Sequence, residues 1–157
     1  MKDEFTSRLE SLFRKHSGII FSGFDSSGKH FAPQKVWTHV ARIGSRPSAI
    51  FSDLCMEDAA KGWWELAQYA GMVSDRGFEV SCLISIGGLG SLPWAMVQFP
   101  LDTSILEVFA LNDGYPEFIV ASVSGDAYLA VVSEEDEIWI FLVKRYDSEL
   151  MTVLLSP

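Results

Sequence analysis

The chain has little cysteine, no long apolar run and almost no basic charge in its last two-thirds. Its two cysteines, Cys55 and Cys82, are too few for a disulfide framework and lack metal-ligand spacing. Both stand in apolar surroundings, which predicts buried, reduced thiols. The longest weakly polar stretch, Cys82 to Val97, holds three Gly, one Pro and two Ser. It falls short of the roughly 20 apolar residues of a membrane helix. The opening MKDEFTSRLE is charged and has no signal-peptide core, so the expected location is cytoplasmic. Catalytic signatures are missing too. There is no G-x-S-x-G to fix a nucleophile, and His16, His30 and His39 have no i, i+4 zinc spacing.

What is present is apolar and aromatic. Hydrophobic residues make up 48% of 157, with eleven Phe, five Trp and four Tyr. That excludes a disordered tail, which needs low hydrophobicity, and the length suits one domain over 1–157. The net charge of −9 excludes a protein that tracks nucleic-acid phosphates.

Charge is distributed unevenly. Residues 1–54 carry a net +3 and residues 55–157 a net −12, and all three histidines lie in the first third. Between Arg76 and Lys144 there are ten acids and no basic residue. Such a stretch cannot neutralise itself locally and should give part of the surface a negative field. Solubility and attraction of a basic partner both account for it.

Periodicity predicts a helix over 3–16, with Phe5, Leu9, Leu12 and Phe13 on one face. A strand follows over 18–24. Residues 34–43 fit a helix through Val36, Val40 and Ile43, and a strand through Val36, Thr38 and Val40. Residues 48–51 read as a short strand. The clearest helix is Glu57 to Met72, with Ala60, Trp63, Trp64, Ala67 and Ala70 facing inward. Strands are then expected at 78–86, 94–100, 104–111, 117–123, 127–133, 137–144 and 150–155. Early helices and late strands predict an α+β fold: a mostly antiparallel sheet of five to seven strands on two or three helices. The Glu134-Glu-Asp-Glu137 run reads as a solvated hairpin tip, not an acid/base pair.

The sharpest local motif is Gly23-Phe-Asp-Ser-Ser-Gly28-Lys29 after an apolar run. This G-x-x-x-x-G-K resembles the phosphate loop of nucleoside-monophosphate kinases. The resemblance implies phosphates held by the loop, with Gly23, Gly28 and Lys29 as binding residues. His30 stands where the magnesium-binding hydroxyl belongs, and Pro33 falls where the next helix should form its ladder. A Gly/Ser-rich turn is the alternative. Gly87-Gly-Leu-Gly90 reads as a loop, because Pro93 and the lack of a following helix exclude a dinucleotide fingerprint. His30 with Asp25 lacks a nucleophile to activate. No cofactor or metal is expected.

The stretch from Ser124 to Phe141, Ser-Gly-Asp-Ala-Tyr-Leu-Ala-Val-Val-Ser-Glu-Glu-Asp-Glu-Ile-Trp-Ile-Phe, is similar to the closing hairpin of the SUKH immunity superfamily. There a Gly-Asp turn leads into an aromatic-aliphatic strand, a charged turn and a second strand. The N-terminal half departs from that pattern, which leaves other bacterial toxin-immunity families open. The resemblance implies a stoichiometric inhibitor that occludes a basic, nuclease-like toxin domain, touching neither nucleic acid nor membrane. Its expected contacts are Asp126, Glu134, Glu135, Asp136, Glu137 and Trp139. A small enzyme using Gly23–Lys29 and an acidic secretion chaperone are the alternatives.

Overall fold

The computed structural model describes residues 3–16, 18–42, 46–72, 79–101, 103–110 and 115–144. The structure has the expected class: one seven-stranded antiparallel sheet with helices on both faces. In chain order the elements are α1 (Glu4–Arg14), β1 (Ile20–Phe24), α2 (Pro33–Val40), β2 (Ala49–Ser52), α3 (Met56–Tyr69) and β3 (Glu79–Ile86). β4 (Ala95–Pro100), α4 (Ile105–Val108), β5 (Phe118–Ala121), β6 (Ala127–Glu134) and β7 (Glu137–Lys144) complete them.

Strand order across the sheet is β1-β4-β3-β5-β6-β7-β2. The N-terminal strands β1 and β2 therefore occupy opposite edges, and the chain between them must cross the whole sheet. Six gaps at about 4.8 Å make that crossing about 29 Å wide. The helix on this strap, α2, has eight residues and spans only about 12 Å. It covers the middle of one face and leaves both flanks to other groups.

The other face is thoroughly covered. α1 starts at Asp3, whose carboxylate accepts from Thr6 N at 2.7 Å, and buries Leu9, Leu12 and Phe13. Phe5, expected on that face, stays 42% exposed. α3 buries Ala59, Trp63 and Ala67, with Ala60, Trp64 and Ala70 packed at the margin. Gly62 lets α3 approach β2 closely, because a Cβ there would run into the Phe51 ring. Rings join the layers: Phe109 lies 5.2 Å from Phe118 and 6.1 Å from Phe99, and Trp63 lies 6.2 Å from Phe118.

Several expectations need correction. Of the stretch expected as a strand at 104–111, residues 104–110 do not form one: Ile105, Leu106 and Phe109 are buried from a single helical turn, α4. Their spacing of i, i+1 and i+4 is helical, and Val108 N and Phe109 N bond back to Ser104 O and Ile105 O. α4 brings the helices to four among the described residues, against the two or three expected. The ambiguous segment 34–43 is helical over Pro33–Val40, burying Pro33, Val36, His39 and Val40. Pro33 does not spoil this helix but opens it, in the first turn where no ladder donor is lost. Cys55 is exposed and Cys82 buried; Cys55 sits in the turn before α3 rather than in the core. The strand expected at 150–155 lies outside the described residues.

Candidate functional site

The two flanks that α2 leaves uncovered differ in chemistry. One is the β6–β7–β2 end. β6 and β7 pair down to Glu134↔Glu137, so a two-residue turn, Glu135-Asp136, closes the hairpin. Glu135 takes φ +31, which suits the twist of such a turn and is uncommon outside glycine. Glu134, Glu135, Asp136 and Glu137 are all exposed. The β2–α3 turn is fastened to this tip by Asp53 N, which donates to Asp136 O at 3.0 Å.

Register builds an apolar row beside the acids. Val132 is opposite Trp139, and Trp139 is opposite Ile50. Val132 and Trp139 pack at the margin of the α2-side cluster, while Ile50 is 50% exposed and Leu54, in the turn fastened to the tip, 91%. In the next row stand Glu134 and Glu137, and Trp139 Nε1 donates to Glu137 Oε1 at 3.2 Å. Glu117, one step before β5, is close enough to Glu134 to feel its charge. Burial first, and Glu134 second, push the Glu117 carboxyl above its ordinary value. Gly87 makes room for it, since a Cβ there would meet Glu117 Cβ at 2.7 Å.

Five of the six residues expected to meet a partner are thus brought together: Glu134 to Glu137 and Trp139. Asp126 is not. It is exposed on the β5–β6 turn, at the other end of β6 and roughly 25 Å of strand from the tip. Ile50, Leu54 and Glu117 were not singled out by sequence, because only strand register carries them to the hairpin.

The opposite flank holds the Gly23–Lys29 loop. Gly23 and Gly28 have φ +109 and +73, as glycine-dependent turns require. The loop amides, however, bind within the protein. Asp25 N donates to Trp94 O at 2.8 Å, Ser27 N points at Asp25 Oδ1 at 3.4 Å, and Lys29 N points at Ser27 Oγ at 3.3 Å. No helix begins at Lys29; α2 starts at Pro33, preceded by Ala32 without a side-chain cap. A phosphate cradle needs free, converging amides leading into a helix; here the Asp25, Ser27 and Lys29 amides face partners within the protein and no helix follows Lys29 directly.

His30 and Asp25 are a structural brace. His30 Nε2 lies 2.8 Å from Ser122 O; a carbonyl only accepts, so this network assigns the hydrogen to Nε2. Nδ1 stands 3.4 Å from Asp25 Oδ2 without making a hydrogen bond to it. Asp25 Oδ2 also accepts from Ser27 Oγ at 3.0 Å. Phe31 N donates to the Tyr128 hydroxyl, and Trp94 Nε1 to Phe31 O, so the loop is tied to the sheet. Between loop and sheet is a cleft of about 310 Å³. Cys82 borders it, but burial pushes that thiol up to about 12, which keeps it from acting as a nucleophile at neutral pH.

Among the described residues no group of three or more His, Cys, Asp or Glu is placed to hold a metal ion. None of their helices is long and apolar enough to cross a membrane. No protein-family model matches the chain, and no curated protein or solved structure matches it either.

Proposed function

We propose that this protein is a toxin-neutralising immunity protein that acts in the cytoplasm and occludes a basic, nuclease-like toxin domain with the β6–β7–β2 end of its sheet. The observation that carries this reading is the juxtaposition of Trp139 and half-exposed Ile50 with Glu134 and Glu137 one row away. Binding energy at protein interfaces concentrates in a few aromatic and aliphatic anchors ringed by polar groups. Charges at the rim accelerate encounter with an oppositely charged surface. The Val132–Trp139–Ile50 row supplies the anchor, and the exposed acids supply the rim. A two-residue turn holds that rim at a set place, so little ordering is needed on binding.

Co-expression tests this directly. If a basic toxin domain is encoded beside this chain, that domain should arrest growth when expressed alone, and the native chain should restore it. Trp139→Asp should abolish the rescue while the variant remains folded by circular dichroism. Full rescue by Trp139→Asp, together with unchanged affinity, would refute the assigned surface.

A further inference from the structure

The two edges of the sheet are finished differently. At the β1 edge the register breaks between Phe21 and Phe24, and Gly23 takes φ +109. A break of this kind twists an edge away from further pairing. At the other edge, Ala49 to Ser52 pairs with β7 without interruption. Ala49-Ile-Phe-Ser52 holds no charge and no proline, the residues that usually close an edge. Among the described residues no strand lies outside β2.

The backbone groups on that open side form a self-complementary set. Asp53 N donates to Asp136 O at 3.0 Å, one step beyond the Ser52↔Glu137 pair. Hydrogen bonding alternates along an antiparallel ladder, so Phe51 faces β7 while Ile50 and Ser52 face outward. Two neighbouring groups are already engaged: Ser48 N donates to Ile140 O at 2.7 Å, and Ser52 O accepts from Cys55 N at 3.0 Å. An antiparallel second copy centred on Ile50 needs neither. Ile50 N–H would meet Ile50 O in both directions, and Ser52 N–H would meet Ser48 O in both directions. Pairing centred one residue to either side would call on an engaged group.

Side chains and charge fit the same register. The Val132–Trp139–Ile50 row would run on into Ile50, Trp139 and Val132 of the second copy, covering the half-exposed Ile50. The Glu134–Glu137–Ser52 row would meet uncharged Ser48 of the second copy, so like charges are not set opposite each other. The acidic tips fall at opposite ends of the seam. There the exposed Arg46 of each copy runs beside Leu54 and the tip of the other. We propose that two copies of this chain associate edge to edge through β2, about a two-fold axis at Ile50, to make one continuous sheet. The pairing does not rest on the immunity reading.

Sedimentation equilibrium of the full chain tests this. Over about 1–500 μM the mass should rise from monomer toward dimer, with a dissociation constant on the order of tens of micromolar for so short a seam. Amide hydrogen exchange locates the seam without any variant. The Ile50 and Ser52 amides should become more protected as concentration rises, while Phe51, which faces β7, should not change. Ile50→Pro removes an outward N–H and no bond to β7, so the folded variant should stay monomeric throughout. Arg46→Glu should weaken association about tenfold, and Arg46→Lys should not. A monomer at every concentration would overturn the proposal. A dimer whose Ile50 and Ser52 exchange does not vary with concentration would have its seam elsewhere, and would overturn it too.

Discussion

The two faces of one sheet are covered to different extents by the described helices. Under α1, α3 and α4 the sheet is sealed: Trp63, Phe99, Phe109, Phe118 and Leu129 are all below 2% exposure. Under α2 it is sealed only in the middle, and the flanks carry Trp139 with Ile50 on one side and Ser22, Ser81 and Gln98 on the other. Topology is the cause. A return from the β2 edge to central β3 brings a 14-residue helix under one face, whereas the edge-to-edge strap carries an eight-residue helix over the other. Stability should therefore reside on the first face and recognition on the second.

The largest test of that division is Trp63→Ala. Trp63 is 1% exposed and packs edge-on against Trp64 at 5.0 Å. Its removal should cost about 3–5 kcal/mol, read as a lower urea midpoint, while partner affinity of the folded fraction stays unchanged. Its buried Nε1 has no hydrogen-bond partner among the described residues, so Trp63→Phe should cost much less than Trp63→Ala. A large loss of affinity at full stability would place the recognition site on the wrong face here.

Gly62→Ala probes the close approach of α3 to edge strand β2. The new methyl would meet the Phe51 ring, and Phe51 stands next to Ile50 on edge strand β2. Overpacking of this kind costs about 1–3 kcal/mol. Because β2 must give way, this variant should also weaken partner binding, unlike Trp63→Phe. Intact affinity in Gly62→Ala would show that β2 is not part of the interface.

How much of this could be read in advance depends on the length of each pattern. α1, α3 and the β6–β7 hairpin are long enough for their periods to stand out, and they were legible within a few residues. α4 was not, since Ile105, Leu106, Val108 and Phe109 have strand-like composition and one turn shows no full period. Pro33 reads as a breaker in sequence, because its place in the first turn shows only once the helix start is known. Four adjacent acids were visible as a tip. Their partners Ile50 and Glu117 come from distant parts of the chain, and only pairing register joins them. The Gly23–Lys29 loop was visible as a motif, yet its chemistry depends on Trp94 and Asp25 occupying its amides.

At the tip itself the predictions concern rates more than stability. Trp139→Ala should cost about 1 kcal/mol of stability but 2 kcal/mol or more of binding, roughly a thirtyfold rise in dissociation constant. Neutralising Glu134, Glu135, Asp136 and Glu137 together should instead slow association and flatten its salt dependence. Surface-plasmon kinetics at two salt concentrations separate the effects: the indole acts on the off-rate, the acids on the on-rate. An unchanged on-rate in the quadruple variant would leave the acids with solubility alone.

The smallest effect is the most specific to the open face. Glu117 is held above its ordinary 4.5, by burial and then by Glu134, so the folded state binds this proton more readily than the unfolded state. Stability from this group is therefore fully present below about 4.5 and is lost as pH rises through the folded value. Asp3 on the sealed side has the opposite sign: its hydrogen bonds from Thr6 lower it, so its contribution is lost as pH falls. Glu117→Gln should raise the urea midpoint at neutral pH relative to the parent and leave it unchanged in acid. Glu134→Gln should recover part of that gain, since it removes the second cause. A basic partner seated on the tip would relieve the same repulsion, so its affinity should rise as pH climbs through the Glu117 titration. Affinity that does not vary with pH in the parent, alongside a stability shift in Glu117→Gln, would move the partner's positive charge away from Glu117.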